Sequence, residues 1–194
     1  QAEGVGGPRF DQGQTLDHLD RRAGKDRRGD VAAGADDAAR RVDNGDAAAM
    51  NNLALKYAKG EGVARDPAQA KKLLTNAAQQ GNALAQANLG TLYREGIDGT
   101  AVDYAEALNW FTRAAEQGNV TAQAKLGWMY LKGQGVAANP AEATKWFVQA
   151  AQQGDLDSQT QLGWMAEQGE GVPKNEALAA QAYRQAIDDA VAGK

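Results

Sequence analysis

NVTAQAKLGWMYLKGQGVAANPAEATKWFVQAAQQG, residues 119–154, decides the fold of this chain, because it is one of four in-phase copies. Residues 46–81 read DAAAMNNLALKYAKGEGVARDPAQAKKLLTNAAQQG, residues 82–118 read NALAQANLGTLYREGIDGTAVDYAEALNWFTRAAEQG, and residues 155–190 read DLDSQTQLGWMAEQGEGVPKNEALAAQAYRQAIDDA. The copies are 36, 37, 36 and 36 residues long. A period of that length marks a stacked array of supersecondary units, each burying its apolar face on the next.

Within each copy apolar residues recur twice at helical spacing. In residues 119–154 Ala122, Leu126, Met129 and Tyr130 share the face of a first helix. Ala143, Trp146, Phe147 and Ala150 share the face of a second. Between them lies Gly133-Gln134-Gly135-Val136, a helix stop followed by a sharp turn. Pro67 and Pro140 suit first-turn positions, with Asp66 and Asn139 before them as N-caps. Gly81, Gly118 and Gly154 end the second helices. Gly90, Gly127 and Gly163, with Ala54 in the first copy, fall inside the first helices. A mid-helix glycine costs about 1 kcal/mol relative to alanine, so its recurrence predicts close approach by the paired helix. The bulky pairs Leu73/Leu74, Trp110/Phe111 and Trp146/Phe147 are expected opposite it, and Tyr57, Tyr93 and Tyr130 are expected in the core.

Ahead of the array the signal is weaker. Residues 1–29 are rich in Gly, Arg and Asp and read as a solvated linker; the basic run RRAGKDRR (21–28) offers an electrostatic tether as the alternative. Residues 30–45 read as a capping helix, N-capped by Asp30 and ended by Gly45, packing as a half-repeat on the first unit. The array itself occupies residues 46–194. The chain starts at Gln1, as expected either of a processed exported protein or of a fragment.

Composition removes several classes of chemistry. There is no cysteine, and His18 is the single histidine, which leaves no thiol chemistry, no histidine metal cluster and no catalytic triad. The net charge of −4 argues against general nucleic-acid binding. No apolar run approaches the roughly 20 residues of a membrane-spanning helix. The turn Gly60-Glu61-Gly62 lacks the Lys-Ser/Thr of a phosphate loop. Asn119-Val120-Thr121 matches a glycosylation sequon, but it falls at a repeat start. The expectation is of no enzyme and no cofactor.

Leu126-Gly127, Tyr130, Gly133, Gly135-Val136, Asn139, Ala143, Trp146-Phe147, Ala150-Ala151 and Gly154 together resemble the unit of the Sel-like repeat (SLR) family, within the tetratricopeptide-like solenoids. The resemblance covers about three quarters of the chain. It implies an all-α, right-handed α-solenoid of helix-turn-helix repeats: four SLR units behind the N-terminal half-repeat. It also implies bacterial origin and roles in envelope assembly, signalling, virulence or effector neutralisation. Two departures are expected to matter. The extra residue in Gly96-Ile97-Asp98-Gly99, followed by Thr100 in place of valine, should make the second turn bulge. The fourth copy has Ala166 for tyrosine, Ala182 for tryptophan and Asp188-Asp189-Ala190 for Gln-Gln-Gly, as expected of a C-terminal cap that meets solvent.

In tetratricopeptide-like superhelices the first helix of each pair lines the concave side. Carried over by resemblance, that geometry projects the residue after each buried glycine into the groove. The column is Leu55, Thr91, Trp128 and Trp164, flanked by Lys59, Arg94, Glu95, Lys132, Glu167 and Gln168. Exposed aromatics in a groove are preferred anchors for a partner. The alternative is that Trp128 and Trp164 only pack over the neighbouring first helix. The leading reading is therefore a non-enzymatic adaptor or scaffold for a protein or peptide, located in the periplasm or cell envelope, with the cytoplasm as alternative. Two rivals stand beside it: a binder of peptidoglycan or another cell-wall glycan, and the targeting module of a longer enzyme.

Overall fold

Asp46 opens the repeat array by accepting a hydrogen bond from the backbone N–H of Ala49 at 3.0 Å, and the same device recurs at every helix that follows. The computed structural model describes residues 40–193 except Ile97 and Asp98. Of these, residues 40–44 fall in one unit and those from Gly45 in a second. In the first, residues 40–43 are helical and the N–H of Asn44 donates to the carbonyl of Arg40 at 3.0 Å. The linker and basic run of residues 1–29, and the start of the expected capping helix, lie outside the described residues.

The second unit consists of helices in pairs: α1 (Ala47–Lys59) with α2 (Pro67–Gln79), α3 (Ala83–Glu95) with α4 (Tyr104–Glu116), α5 (Val120–Lys132) with α6 (Pro140–Gln152), and α7 (Leu156–Gln168) with α8 (Glu176–Val191). No strand occurs among the described residues, so the chain is an all-α solenoid. Each helix packs chiefly on its predecessor and successor, and α1 also touches α3. Asp or Asn stands at every N-cap, each side chain accepting first-turn N–H groups at 2.9–3.1 Å. Each such cap contributes about 1 kcal/mol by satisfying an otherwise orphaned donor. Gly60, Gly96, Gly133 and Gly169 end the first helices in the left-handed conformation. The N–H of each second-helix N-cap then donates across the hairpin to the carbonyl of Tyr57, Tyr93, Tyr130 or Ala166, at 2.8–3.0 Å. That bond closes the turn identically whether or not a tyrosine is present. Of the unusual second turn, Ile97 and Asp98 lie outside the described residues, and Thr100 is buried.

The mid-helix glycines do meet aromatic rings. A Cβ built on Gly90 would lie 2.9 Å from Phe111, one on Gly127 2.6 Å from Phe147, and one on Gly163 2.6 Å from Tyr183. Only the second residue of each bulky pair faces the glycine. In the third unit the first residue reaches back: Trp146 packs on a cluster drawn from α3, α4 and α5 that includes Ala87, Ala107, Phe111, Ala114 and Leu126. Phe111 and Phe147 are fully buried, worth roughly 1.5–3 kcal/mol each. Tyr57, Tyr93 and Tyr130 are half-buried rather than enclosed; Tyr93 and Tyr130 pack on the core from its edge. Gly135 has a further reason to be glycine: a Cβ there would strike the carbonyl of Tyr104, where the third turn docks on the start of α4.

Buried glutamines tie three helices at each junction. Gln86, Gln123 and Gln159 donate through Nε2 to the carbonyls of Ala78, Ala115 and Ala151 in the preceding unit, at 3.0, 3.2 and 3.1 Å. In turn Gln117 donates to Gln86 Oε1 at 2.7 Å, and Gln153 to Gln123 Oε1 at 2.8 Å. The fourth unit departs from this pattern. Asp189 replaces the donor and accepts from Gln159 Nε2 at 2.7 Å, leaving Gln159 Oε1 with no hydrogen-bond partner among the described residues. Asp189 is 5% exposed, so the charge expected to meet solvent at this end is largely enclosed. Because Ala190 stands where other units have glycine, α8 continues to 16 residues against 13 elsewhere.

Candidate functional site

Leu55, Thr91, Trp128 and Trp164 occupy one position in α1, α3, α5 and α7, immediately after the residue that faces the second helix. That placement turns each partly away from the core, and what each makes of it depends on its neighbours. Leu55 is half-buried. Thr91 is also half-buried, and its hydroxyl donates to the carbonyl of Ala87 at 3.0 Å.

Trp128 is half-buried and meets the ring of Phe147 edge-on, with centroids 5.4 Å apart and planes at 82°. Lys132, one turn further along α5, places Nζ 5.0 Å from the centre of the Trp128 ring. Such a cation–π contact contributes about 0.5–1 kcal/mol at an exposed site and holds the indole in one orientation. Trp164 has no Phe at the corresponding place, since Tyr183 stands there, and it is 42% exposed. It is the one tryptophan among the exposed large apolar side chains of the described residues.

The polar flank is locally paired. Lys59 lies 3.7 Å from Glu61, both largely exposed. Arg94 forms a 2.7 Å ion pair with Glu95, while its Nε is buried with no partner among the described residues. Exposed pairs of this kind contribute at most about 1 kcal/mol. Glu167 accepts a hydrogen bond from the Tyr183 hydroxyl at 3.1 Å. Desolvation pushes the Tyr183 phenol above its ordinary ionisation range, and the hydrogen bond and charge of Glu167 push it further. Gln168 is exposed at the end of α7. The geometry brings Trp128 together with Lys132, Arg94 with Glu95, and Glu167 with Tyr183.

Sequence reasoning passed over Tyr183 and Gln159, and it read Asp189 as a solvent-facing charge. Tyr183 was legible from its spacing to Gly163, which matches that of Phe147 to Gly127. The glutamine column was legible from its recurrence at Gln86, Gln123 and Gln159, but a polar residue on a helix ordinarily reads as solvated. Among the described residues no group of three acidic or histidine side chains is placed to hold a metal ion. No helix among them is long and apolar enough to cross a membrane.

The model of the Sel1 repeat matches residues 47–82, 83–119, 120–155 and 156–190. A search of the curated proteins finds no match. Among solved structures, the chain resembles c5321, described as a protective antigen of uropathogenic Escherichia coli strains with an SLR fold, at 40% identity and a TM-score of 0.78 over 81% of this chain. It also resembles a Sel1 repeat protein of Oxalobacter formigenes, at 34% identity and a TM-score of 0.72 over 78% of this chain. The chain spans 34% of the length of the first and 60% of the second. A Sel1 repeat protein of Klebsiella pneumoniae shares the fold at 24% identity and a TM-score of 0.54, with 76% of this chain and 70% of that chain covered.

Proposed function

The chain belongs to the Sel1 repeat family, and on that premise we propose that it is a non-enzymatic adaptor holding a protein or peptide partner against the column Leu55, Thr91, Trp128 and Trp164. Sel1 repeat proteins generally mediate protein–protein interaction. The observation that carries the reading is Trp164, an indole 42% exposed on a helix whose caps and turn are otherwise satisfied. A large aromatic left open on a rigid element is an inexpensive anchor, because little ordering remains to be done when the partner arrives. Trp128 supports it from the preceding unit, held by Phe147 on one side and Lys132 on the other. The direct contact between α1 and α3 supports assigning the first helices to the inner side of the array. Lys59, Arg94, Glu95, Lys132, Glu167 and Gln168 form the polar rim that selects among partners.

The origins of the solved relatives favour a bacterial protein, and we assign it to the cell envelope. Fractionation of the source cell with an antibody to the array tests the compartment. For the binding role, peptides or proteins retained by the immobilised array are to be compared with those retained by Trp164→Ala. Loss of a retained partner supports the anchor, and an unchanged set of partners refutes it.

A further inference from the structure

Trp110, 8% exposed, and Trp146, which packs on a cluster drawn from α3, α4 and α5, stand at one repeat position of α4 and α6. One repeat further on, the residue at that position is Ala182. Around it, between α6, α7 and α8, is a groove of about 670 Å³ whose apolar lining is Val148, Leu162 and Leu178 with Ala151 and Ala182, and whose polar lining is five glutamines and Asp189. That volume lies within the range of pockets that hold small ligands, and it suits a bulky side chain of the kind the earlier units carry at this position.

The chemistry of the lining narrows the occupant. Val148 and Leu178 are exposed at the rim, 37% and 45%, and Leu162 is half-buried beneath them. Gln159 and Asp189, each 5% exposed, stand in the same wall. In the second and third units the corresponding oxygens, Gln86 Oε1 and Gln123 Oε1, accept an N–H from Gln117 and Gln153. A carboxylate cannot donate, so Asp189 supplies no such hydrogen to Gln159 Oε1, which has no partner among the described residues. A buried acceptor without a donor is unfavourable, so a donor brought to it from outside is favoured. Val148, Leu162 and Leu178 favour a ring, the glutamines favour one that carries a polar atom, and the carboxylate repels an anion.

We propose that the groove between α6 and α8 is a docking pocket for an indole side chain presented by a partner polypeptide. Its ring lies against Val148, Leu162 and Leu178, and its N–H points to the Asp189–Gln159 end. The chain thus receives from outside the tryptophan that its own earlier units supply from within. This surface is separate from the Trp128–Trp164 column, and its failure would leave that reading intact.

The test is an NMR titration of the isotope-labelled chain with N-acetyl-tryptophanamide, alongside N-acetyl-phenylalaninamide and N-acetyl-argininamide. Saturable shifts at Val148, Leu178 and Ala182 are expected with the tryptophan analogue. Ala182→Trp fills the pocket and abolishes them. Asp189→Gln restores the glutamine pair, satisfies Gln159 Oε1 from within and weakens binding about tenfold, the effect of losing one hydrogen bond. Leu178→Ala, at an exposed position that folding does not depend on, weakens it as well. Thermal melts by circular dichroism confirm that each variant is folded. Absence of saturable shifts in the unaltered chain overturns the proposal. So do shifts that persist in Ala182→Trp, or tighter binding of the arginine analogue than of the tryptophan analogue.

Discussion

The ring of Phe147 lies against Gly127 so closely that a single added methyl on the glycine would stand 2.6 Å from it. The contact sets the distance between α5 and α6, and Trp128, the next residue, is oriented by the same ring. Core packing and the candidate anchor are thus mechanically joined.

Gly127→Ala is expected to destabilise the array even though alanine is the better helix former. The propensity gain is about 1 kcal/mol, while overpacking a filled core costs about 1–3 kcal/mol. Urea unfolding should show a net loss, and Phe147→Leu in the same chain should recover part of it by vacating the ring edge. A stabilised Gly127→Ala variant would mean that the helices can separate freely.

Trp128 and Trp164 should differ in stability although they share a repeat position. Trp164→Ala removes an exposed ring and should change stability by no more than about 0.5 kcal/mol. Trp128→Ala removes the edge contact with Phe147 and the cation–π contact with Lys132, and should cost about 1–3 kcal/mol. Denaturant midpoints of the two variants check this directly.

Much of this was readable before any coordinates. Four copies of one pattern carried the helix pairs, the Asp and Asn caps, the glycine stops and the approach of Phe111 and Phe147 to the glycines, because each is a local rule repeated in register. Two things were hidden. The pair Trp146-Phe147 reads as one bulky block, yet adjacent residues on a helix point about 100° apart, so one faces its own hairpin and the other the preceding unit. Asp188 and Asp189 read as two solvated charges at a helix end, yet the same rotation exposes the first and buries the second. Exposure of the Leu55 column depends on what its neighbours leave uncovered, which no single-repeat pattern specifies.

Asp189→Gln should stabilise the fourth unit. It recreates the donor that Gln117 and Gln153 provide elsewhere, satisfying Gln159 Oε1 and removing an enclosed charge. A gain of about 0.5–1.5 kcal/mol in urea unfolding is expected, the usual net worth of one hydrogen bond. Loss of stability would show that the carboxylate is better satisfied than an amide would be.

Tyr183 should titrate above the ordinary value of 10.0, because desolvation and then Glu167 favour its neutral form. A phenol whose ionisation is raised by folding stabilises the fold fully below its unfolded pKa, and that contribution disappears as pH rises through the folded value. Stability should therefore fall at alkaline pH beyond the range where free tyrosine ionises. In an ultraviolet titration, Tyr183→Phe should remove one late-ionising phenol, and Glu167→Gln should move it back toward the ordinary value.

The central claim is that the Trp128–Trp164 column anchors a protein partner. Its most direct measurement is the dissociation constant of a captured partner for the unaltered array and for Trp128→Ala/Trp164→Ala, by titration calorimetry, with helical content matched by circular dichroism. A loss of affinity of at least about tenfold, as for a buried aromatic anchor, is the predicted result. A partner bound equally well by both proteins would contradict the assignment.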